Sequence, residues 1–246
     1  MSRFTRISRV DVTGSTNQDM AAILGEERSR GLTIVADYQE RGSGRKGRSW
    51  IAPPGSALLC TIGLPDPMPA SQLWVVPFWI ALAVRAAVRR YVDDVTLQWP
   101  NDVLAGRRKL AGILCVSRVT GNAAWVGCGI GLNVRRPDDE TSLREIQPPP
   151  AFLSDFADAD RAAVLEAILK EADTRYGELA DPIAVAAEWE VAAELPGARY
   201  RIALDAEDGA FDARALRLLP GGALLVESGG VQREISLADA RVMRNP

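Results

Sequence analysis

The chain has 246 residues, 47% of them hydrophobic and 25% charged, with a formal net charge of -3 and no histidine. That is enough apolar material and length for one medium domain with a small one beside it. It excludes Ser-His-Asp and Cys-His catalysis, His-ligated metal sites and any imidazole acid or base, and the mildly acidic balance argues against a broad face for nucleic acid.

Ile7 to Val12 alternates like a strand, and Ser15 opens a helix in which Gln18, three residues on, is placed to complete a capping box, with Gly31 as the stop. Thr33 to Tyr38 is the next predicted strand, followed by a basic glycine-rich loop and the apolar strand Ala57 to Gly63. A helix from about Ala70 to Tyr91 is apolar over most of its surface and should pack on a sheet. Strands are expected at Val95–Trp99, Leu110–Val119 and Ala123–Ile130, joined by tight links such as Ala105-Gly106 and Gly121-Asn122 that suggest antiparallel hairpins. Pro148-Pro149-Pro150 marks a surface connection. Helices at Ala159–Ala180 and Pro182–Glu194 follow, and Pro196-Gly197 ends the second. From Tyr200, short strands punctuated by Asp208-Gly209, Gly221-Gly222 and Gly229-Gly230 suggest a small barrel. The expected class is therefore α+β with a mixed or antiparallel sheet, divided into residues 1–195 and 197–246.

Cys60, Cys115 and Cys128 are widely spaced within apolar runs, which points to free, mostly buried thiols rather than a disulfide framework or a zinc site. The first residues carry no apolar signal core, and the longest apolar run, Leu73 to Val88, contains Pro77 and Arg85 and is short for a membrane span. The expected location is cytoplasmic, with no membrane partner.

Residues 39 to 50 (Gln-Glu-Arg-Gly-Ser-Gly-Arg-Lys-Gly-Arg-Ser-Trp) carry the most chemistry. Gly42, Gly44 and Gly47 allow close backbone approach, Arg45, Lys46 and Arg48 supply charge for a phosphate or carboxylate, and Trp50 could stack on a base. A solvated basic turn or an RNA-binding patch would use the same residues. Trp99-Pro100-Asn101-Asp102 sits at a strand end, where rigid backbone can aim polar groups into a cleft. Lys109 stands immediately before an apolar strand, and Gly112 would let a ligand lie against that strand. Gly129-Ile130-Gly131-Leu132-Asn133 lacks the third glycine and the following helix of a dinucleotide fingerprint, so that function is rejected. Ser15-Thr16-Asn17 caps a helix, and a helix start can also hold an oxygen-rich ligand.

Taken in order, Ser15-Thr16-Asn17, Gln39, the Gly42–Trp50 loop, Trp99 to Asp102, Lys109 to Leu114 and Gly129 to Asn133 resemble the catalytic region of biotin protein ligases, enzymes that adenylate biotin and attach it to a carrier lysine. The resemblance is strong over residues 7 to about 135 and lies mainly in layout beyond. It implies a biotin/lipoate ligase-like catalytic domain with an SH3-like C-terminal domain, and ATP, Mg2+ and biotin as the small molecules. It assigns catalysis to Lys109 and Arg45, biotin to Ser15, Thr16, Asn17, Gln39, Gly42, Ser43, Gly44, Arg45, Lys109 and Gly112, and the nucleotide to Arg48, Trp50, Asn101, Asp102 and Asn133. Metal ligands are not specified.

The chain departs from the family at Ser43, where arginine is usual, and at Cys115-Val116-Ser117, where an acidic residue often follows. The resemblance implies a biotin carboxyl carrier domain as partner. The first catalytic strand begins close to Met1, so no DNA-binding domain is expected; the oligomeric state is left open. A lipoate or octanoate ligase is the neighbouring alternative, disfavoured because Ser15, Thr16 and Gln39 would be left unpaired by an alkyl chain. A weakly catalytic biotin sensor is the other.

Overall fold

A computed structural model describes residues 2–143, 146, 149–205, 209–237 and 240–244. Its larger sheet comprises β1 (Arg6–Thr13), β2 (Leu32–Gln39), β3 (Ala57–Gly63), β4 (Met68–Pro69), β5 (Val95–Gln98), β6 (Asp102–Ala105), β7 (Arg108–Thr120) and β8 (Ala123–Asn133). The order is β1-β2-β3-β8-β7-β6-β5, with β4 pairing on β8. β1 and β2 run parallel, and all the other pairings are antiparallel. A parallel pair needs a crossover, and the helix α1 (Thr16–Ile23) supplies it.

β3 is buried along its whole length because both faces of the sheet are covered. Alternation separates the two coverings. Leu58, Cys60, Ile62, Val126, Cys128, Ile130 and Leu132 join the main core with the central helix α2 (Val76–Val88), α3 (Arg161–Arg175) and α4 (Pro182–Ala192). On the other face, Met20 of α1 and Leu24 just after it pack with Ile34 and partly buried Val116 and Trp125. Asp160 and Asp181 accept hydrogen bonds from Ala163 N–H (2.9 Å) and Ala184 N–H (3.1 Å), capping α3 and α4. By length and composition alone Ala70–Val88 could cross a membrane; 61% of that window is buried within the protein, where its apolar surface forms the core.

Several boundaries differ from expectation. Ser15 occupies the N-cap of α1 but makes no capping bond; Gln39 of β2 satisfies the helix start instead, its Oε1 accepting from Thr16 N–H at 2.8 Å. The helix ends at Ile23, and Gly31, at φ +61°, introduces β2. Ala70–Val75 forms a 3-10 helix before α2, which stops at Val88. β6, too short to show a period, lies in what reads as a loop. Pro149 is exposed as expected, but Pro150 is buried, because the segment after β8 folds back on β7, Ala151 N–H donating to Lys109 O at 2.8 Å. Pro148 lies outside the described residues.

The second sheet contains β9 (Arg199–Leu204), β10 (Ala210–Leu218), β11 (Leu224–Ser228), β12 (Val231–Ile235) and β13 (Ala240–Arg244), all antiparallel, in the order β12-β11-β10-β9-β13. The expected closed barrel is not what forms among the described residues: β12 and β13 are the two edges of an open sheet. Its apolar face, including Tyr200, Ile202, Ala215, Leu224 and Val226, shares the core of Phe78, Trp99 and Trp189 rather than packing only on itself. Trp99 Nε1–H donates to Gly222 O at 3.0 Å and Trp99 N–H to Tyr200 Oη at 3.4 Å.

Candidate active site

A cavity of about 330 Å³ lies against β7 and β8, a size suited to a small-molecule site. The start of α1 contributes Ser15, Thr16 and Asn17; the end of β2, Gln39; the basic loop, Ser43, Gly44, Arg45, Arg48 and Trp50. The β5–β6 turn adds Asn101 and Asp102, the β6–β7 hairpin Arg107 and Lys109, and the strands Gly112, Gly129, Gly131 and Asn133. All the predicted site residues meet here except Gly42. That glycine is buried at the base of the loop, where a Cβ would lie 2.6 Å from Trp50 O.

The glycines of β7 and β8 explain how the cavity forms on a sheet. Gly112 and Gly131 are register partners. The Trp50 indole fills the space above them: a Cβ on Gly131 would approach it to 2.6 Å, and one on Gly112 to 2.9 Å. Gly129 does the same for Asn17, whose Oδ1 would lie 2.2 Å from a Cβ there. Side chains at these three positions would push Trp50 and Asn17 off the sheet. Gly112 therefore gives its space to Trp50.

The end of the cavity nearest α1 is polar and buried. Gln39 Oε1 accepts from Thr16 N–H (2.8 Å) and from the Thr16 hydroxyl (3.0 Å). Asn17 Nδ2–H donates to Leu114 O at 2.9 Å, which fixes its amide orientation. The other end is cationic: Arg45, Arg48, Arg107 and Lys109 line the wall with Asp102 as the sole carboxylate among the lining residues. Lys109 Nζ is ion-paired with Asp102 Oδ1 at 2.8 Å and lies 5.6 Å from the Trp50 ring centroid. Trp50 Nε1 is buried without an acceptor. Asn101 and Asn133 commit their Nδ2 groups to Ile113 O (2.8 Å) and Ala151 O (3.0 Å), so each amide oxygen is the atom left for other partners.

The basic loop is a tight fold-back. Gly44 N–H donates to Arg48 O at 2.6 Å and Trp50 N–H to Gly42 O at 2.8 Å, while Lys46 and Gly47 take left-handed φ of 55° and 70°. Arg45 donates to Leu237 O, and Lys46 Nζ reaches Asp205 at 2.6 Å. The second sheet therefore holds the loop. Burial lowers the Arg45 pKa, opposed by nearby Asp102 and reinforced by Arg48, and a guanidinium so placed remains cationic. Ser43 is exposed, its hydroxyl donating to Arg41 O at 3.2 Å.

Residues 10–133 match the Biotin/lipoate A/B protein ligase family. A biotin--[acetyl-CoA-carboxylase] ligase of Mycobacterium tuberculosis is 31% identical over 216 residues, 82% of this chain and 76% of that one. The chain belongs to this family.

Among other family relatives, the bifunctional ligase/repressor BirA of Escherichia coli is 35% identical over 140 residues, 56% of this chain but only 43% of its own length. A solved biotin protein ligase of Aquifex aeolicus, in complex with biotin and ATP, superposes with a TM-score of 0.76 at 22% identity, covering 98% of this chain and 100% of that one. The shared architecture thus extends through the second sheet, where the sequence resemblance is weak.

Sequence reasoning passed over Arg107, Gln98, Thr61 and the apolar Leu143, Ile146 and Pro150. The last three border the cavity from a segment that has no periodicity to betray it. Arg107 follows a turn glycine and reads as a solvated cation. Thr61 lies in an apolar strand and does not line the cavity.

Proposed function

We propose that the protein is an ATP-dependent biotin protein ligase that forms biotinyl-5'-AMP and transfers biotin to a lysine of a biotin carboxyl carrier domain. One observation carries this: a single cavity joins a buried polar end, Thr16, Asn17 and Gln39, to a wall with four cations and one carboxylate. The first end suits a ureido head and the second the carboxylate and phosphates that must meet.

In the first step the biotin carboxylate oxygen attacks the α-phosphorus of ATP, the P–O bond to the β-phosphate breaks, and pyrophosphate leaves. Two anions approach one another, so the demand is for charge neutralisation and alignment rather than an acid or base. Lys109, with Arg45, bridges the attacking carboxylate and the α-phosphate. Arg48 holds the phosphates, and Gly42, Ser43 and Gly44 let the loop lie along the biotin. Asn101, Asp102, Asn133 and Trp50 hold the nucleotide, the free indole N–H of Trp50 offering a donor to it. In the second step the neutral carrier amine attacks the acyl carbon, AMP leaves with the C–O bonding pair, and the proton lost from nitrogen passes to the departing AMP phosphate or to water.

Magnesium would neutralise phosphate charge. No cluster of three His, Cys, Asp or Glu residues suited to a metal occurs among the described residues. Asp102 with the Asn101 amide oxygen is the donor set that fits an ion brought in by the nucleotide, since Mg2+ takes one or two carboxylates and completes its shell with phosphate and water. We read residues 1–195 as the catalytic domain, with Ser15 beside the biotin head and Gly112 acting through the Trp50 indole it accommodates. Residues 197–246 are read as an SH3-like domain, supported by the five antiparallel strands with β13 returning beside β9. Free Cys60, Cys115 and Cys128 support a reducing, cytoplasmic location.

The test is pyrophosphate release from ATP and Mg2+ with biotin, lipoate or octanoate supplied singly, followed by biotin labelling of a carrier domain. Biotin-dependent release is expected, and Lys109→Ala should lower it at least about a hundredfold, the usual effect of removing one preorganised charge contact. Release with an aliphatic acid alone would overturn the substrate. Biotin binding without turnover would make the protein a sensor.

A further inference from the structure

Thr61 lies at the centre of β3 and is completely buried, yet its hydroxyl sits between the two residues that shape the polar end of the cavity. Thr61 Oγ1 is 2.9 Å from Thr16 Oγ1 and 2.8 Å from Asn17 Oδ1. With the 3.0 Å contact from Thr16 Oγ1 to Gln39 Oε1, four oxygens stand in a row: Gln39, Thr16, Thr61, Asn17.

Protons can be counted along this row. Both amides are oriented from outside it: Gln39 presents Oε1 because the Thr16 backbone N–H donates to it, and Asn17 presents Oδ1 because its Nδ2 donates to Leu114 O. Neither end can therefore donate inward, and the two threonine hydroxyls are the only donors for three oxygen–oxygen contacts. The row is one proton short. It holds more lone pairs than it can satisfy internally, so it favours a ligand that brings N–H donors and disfavours an alkyl head.

We propose that Thr61 is a specificity-determining positioning residue: from beneath the cavity it holds Thr16 and Asn17 as acceptors for the N–H groups of the substrate's polar head. This rests on the ligase reading above and adds to it the residue that sets the head-group preference. Thr61 does not touch the substrate. Without its hydroxyl, Asn17 Oδ1 loses its nearest donor and Thr16 loses the partner on one side, so both side chains are free to turn.

The experiment compares wild type with Thr61→Val and Thr61→Ser, measuring steady-state pyrophosphate release, biotin binding by calorimetry and thermal unfolding. Thr61→Val should raise the KM and Kd for biotin about three- to tenfold, the loss of one buried hydrogen bond, while leaving the KM for ATP and kcat nearly unchanged. Thr61→Ser should restore biotin affinity. An unchanged biotin KM in an active Thr61→Val enzyme would overturn the proposal. So would equal losses for biotin and ATP accompanied by a lower Tm that serine fails to correct, since that pattern belongs to a general packing role. A wild type that neither binds biotin nor releases pyrophosphate with it would overturn the ligase reading, and this assignment with it.

Discussion

Ser43 is the residue at which this chain departs most clearly from the biotin protein ligases it resembles. It is exposed on the basic loop, lines the cavity with Gly44 and Arg45, and its hydroxyl bonds only locally, to Arg41 O. An arginine there would have room and would add a charged contact to a bound phosphate or adenylate. Ser43→Arg should tighten retention of the acyl-adenylate by roughly tenfold or more, corresponding to about 1.5 to 3 kcal/mol for a charge-assisted hydrogen bond. The dissociation rate of biotinyl-adenylate from each form is the measurement, and equal rates would show that Arg45, Arg48 and Lys109 already saturate the site. Arg45, Arg48, Asp102 and Lys109 were legible only together, through the order of their motifs, because a basic glycine-rich loop or a lysine before a strand is by itself equally a solvated surface. Thr61 was not. A threonine in a β-strand normally signals only β propensity, and its partners are 44 and 45 positions away in sequence.

At the scale of elements, the segment between β8 and α3 closes one side of the cavity and hangs on Asp155. Its carboxylate accepts from Arg136 Nε–H and Nη2–H (both 2.8 Å), from Arg108 Nη2–H (3.0 Å) and from Phe152 N–H (3.1 Å). Burial alone would raise the Asp155 pKa, but the hydrogen bonds from Arg136 and Phe152 and the charges of Arg136 and Arg108 bring it below the usual value of 3.8. A depressed carboxyl pKa stabilises the fold above the unfolded value, and that contribution disappears as pH falls through the folded one. Asp155→Asn should therefore cost about 1 to 3 kcal/mol at neutral pH, with the gap between variant and wild type closing below about pH 4. Urea unfolding at several pH values measures it, and a pH-independent gap would refute the electrostatic origin. The Gly129–Asn133 motif shows what an element-level reading can and cannot reach. Alternating glycines announce a bare strand face, but that Trp50 and Asn17 cover it depends on loops arriving from elsewhere in the chain.

For the whole molecule, the second sheet is bound to the first by a common core and by the basic loop. Trp99, at the β5–β6 turn beside Asn101 and Asp102, is fully buried with its indole N–H on Gly222 O, and Arg45 and Lys46 reach Leu237 and Asp205. Removing residues 197–246 would expose the core around Phe78, Trp99 and Trp189 and release the loop that carries the cations. The truncated chain should lose its near-ultraviolet circular dichroism and its cooperative urea transition, not merely its activity, since uncovering several large apolar side chains costs about 2 kcal/mol each against a total stability of about 5 to 15 kcal/mol. A sharp transition in the truncated protein would show that the residues before 197 fold autonomously.

The α+β class, the ends of β3, the tight turns at Gly106 and Gly121 and the motifs that supply most of the polar cavity residues were determined by the sequence alone, because each depends on local backbone preference, on side-chain alternation or on a short motif in a recognised order. Tertiary structure alone decided that Gln39, not Ser15, completes the start of α1, that Trp50 occupies the space Gly112 and Gly131 vacate, that Pro150 turns inward, and that the second sheet stays open against the shared core. Those outcomes are fixed by which groups compete for the same partner or the same volume after distant segments meet, and linear order carries no record of that competition.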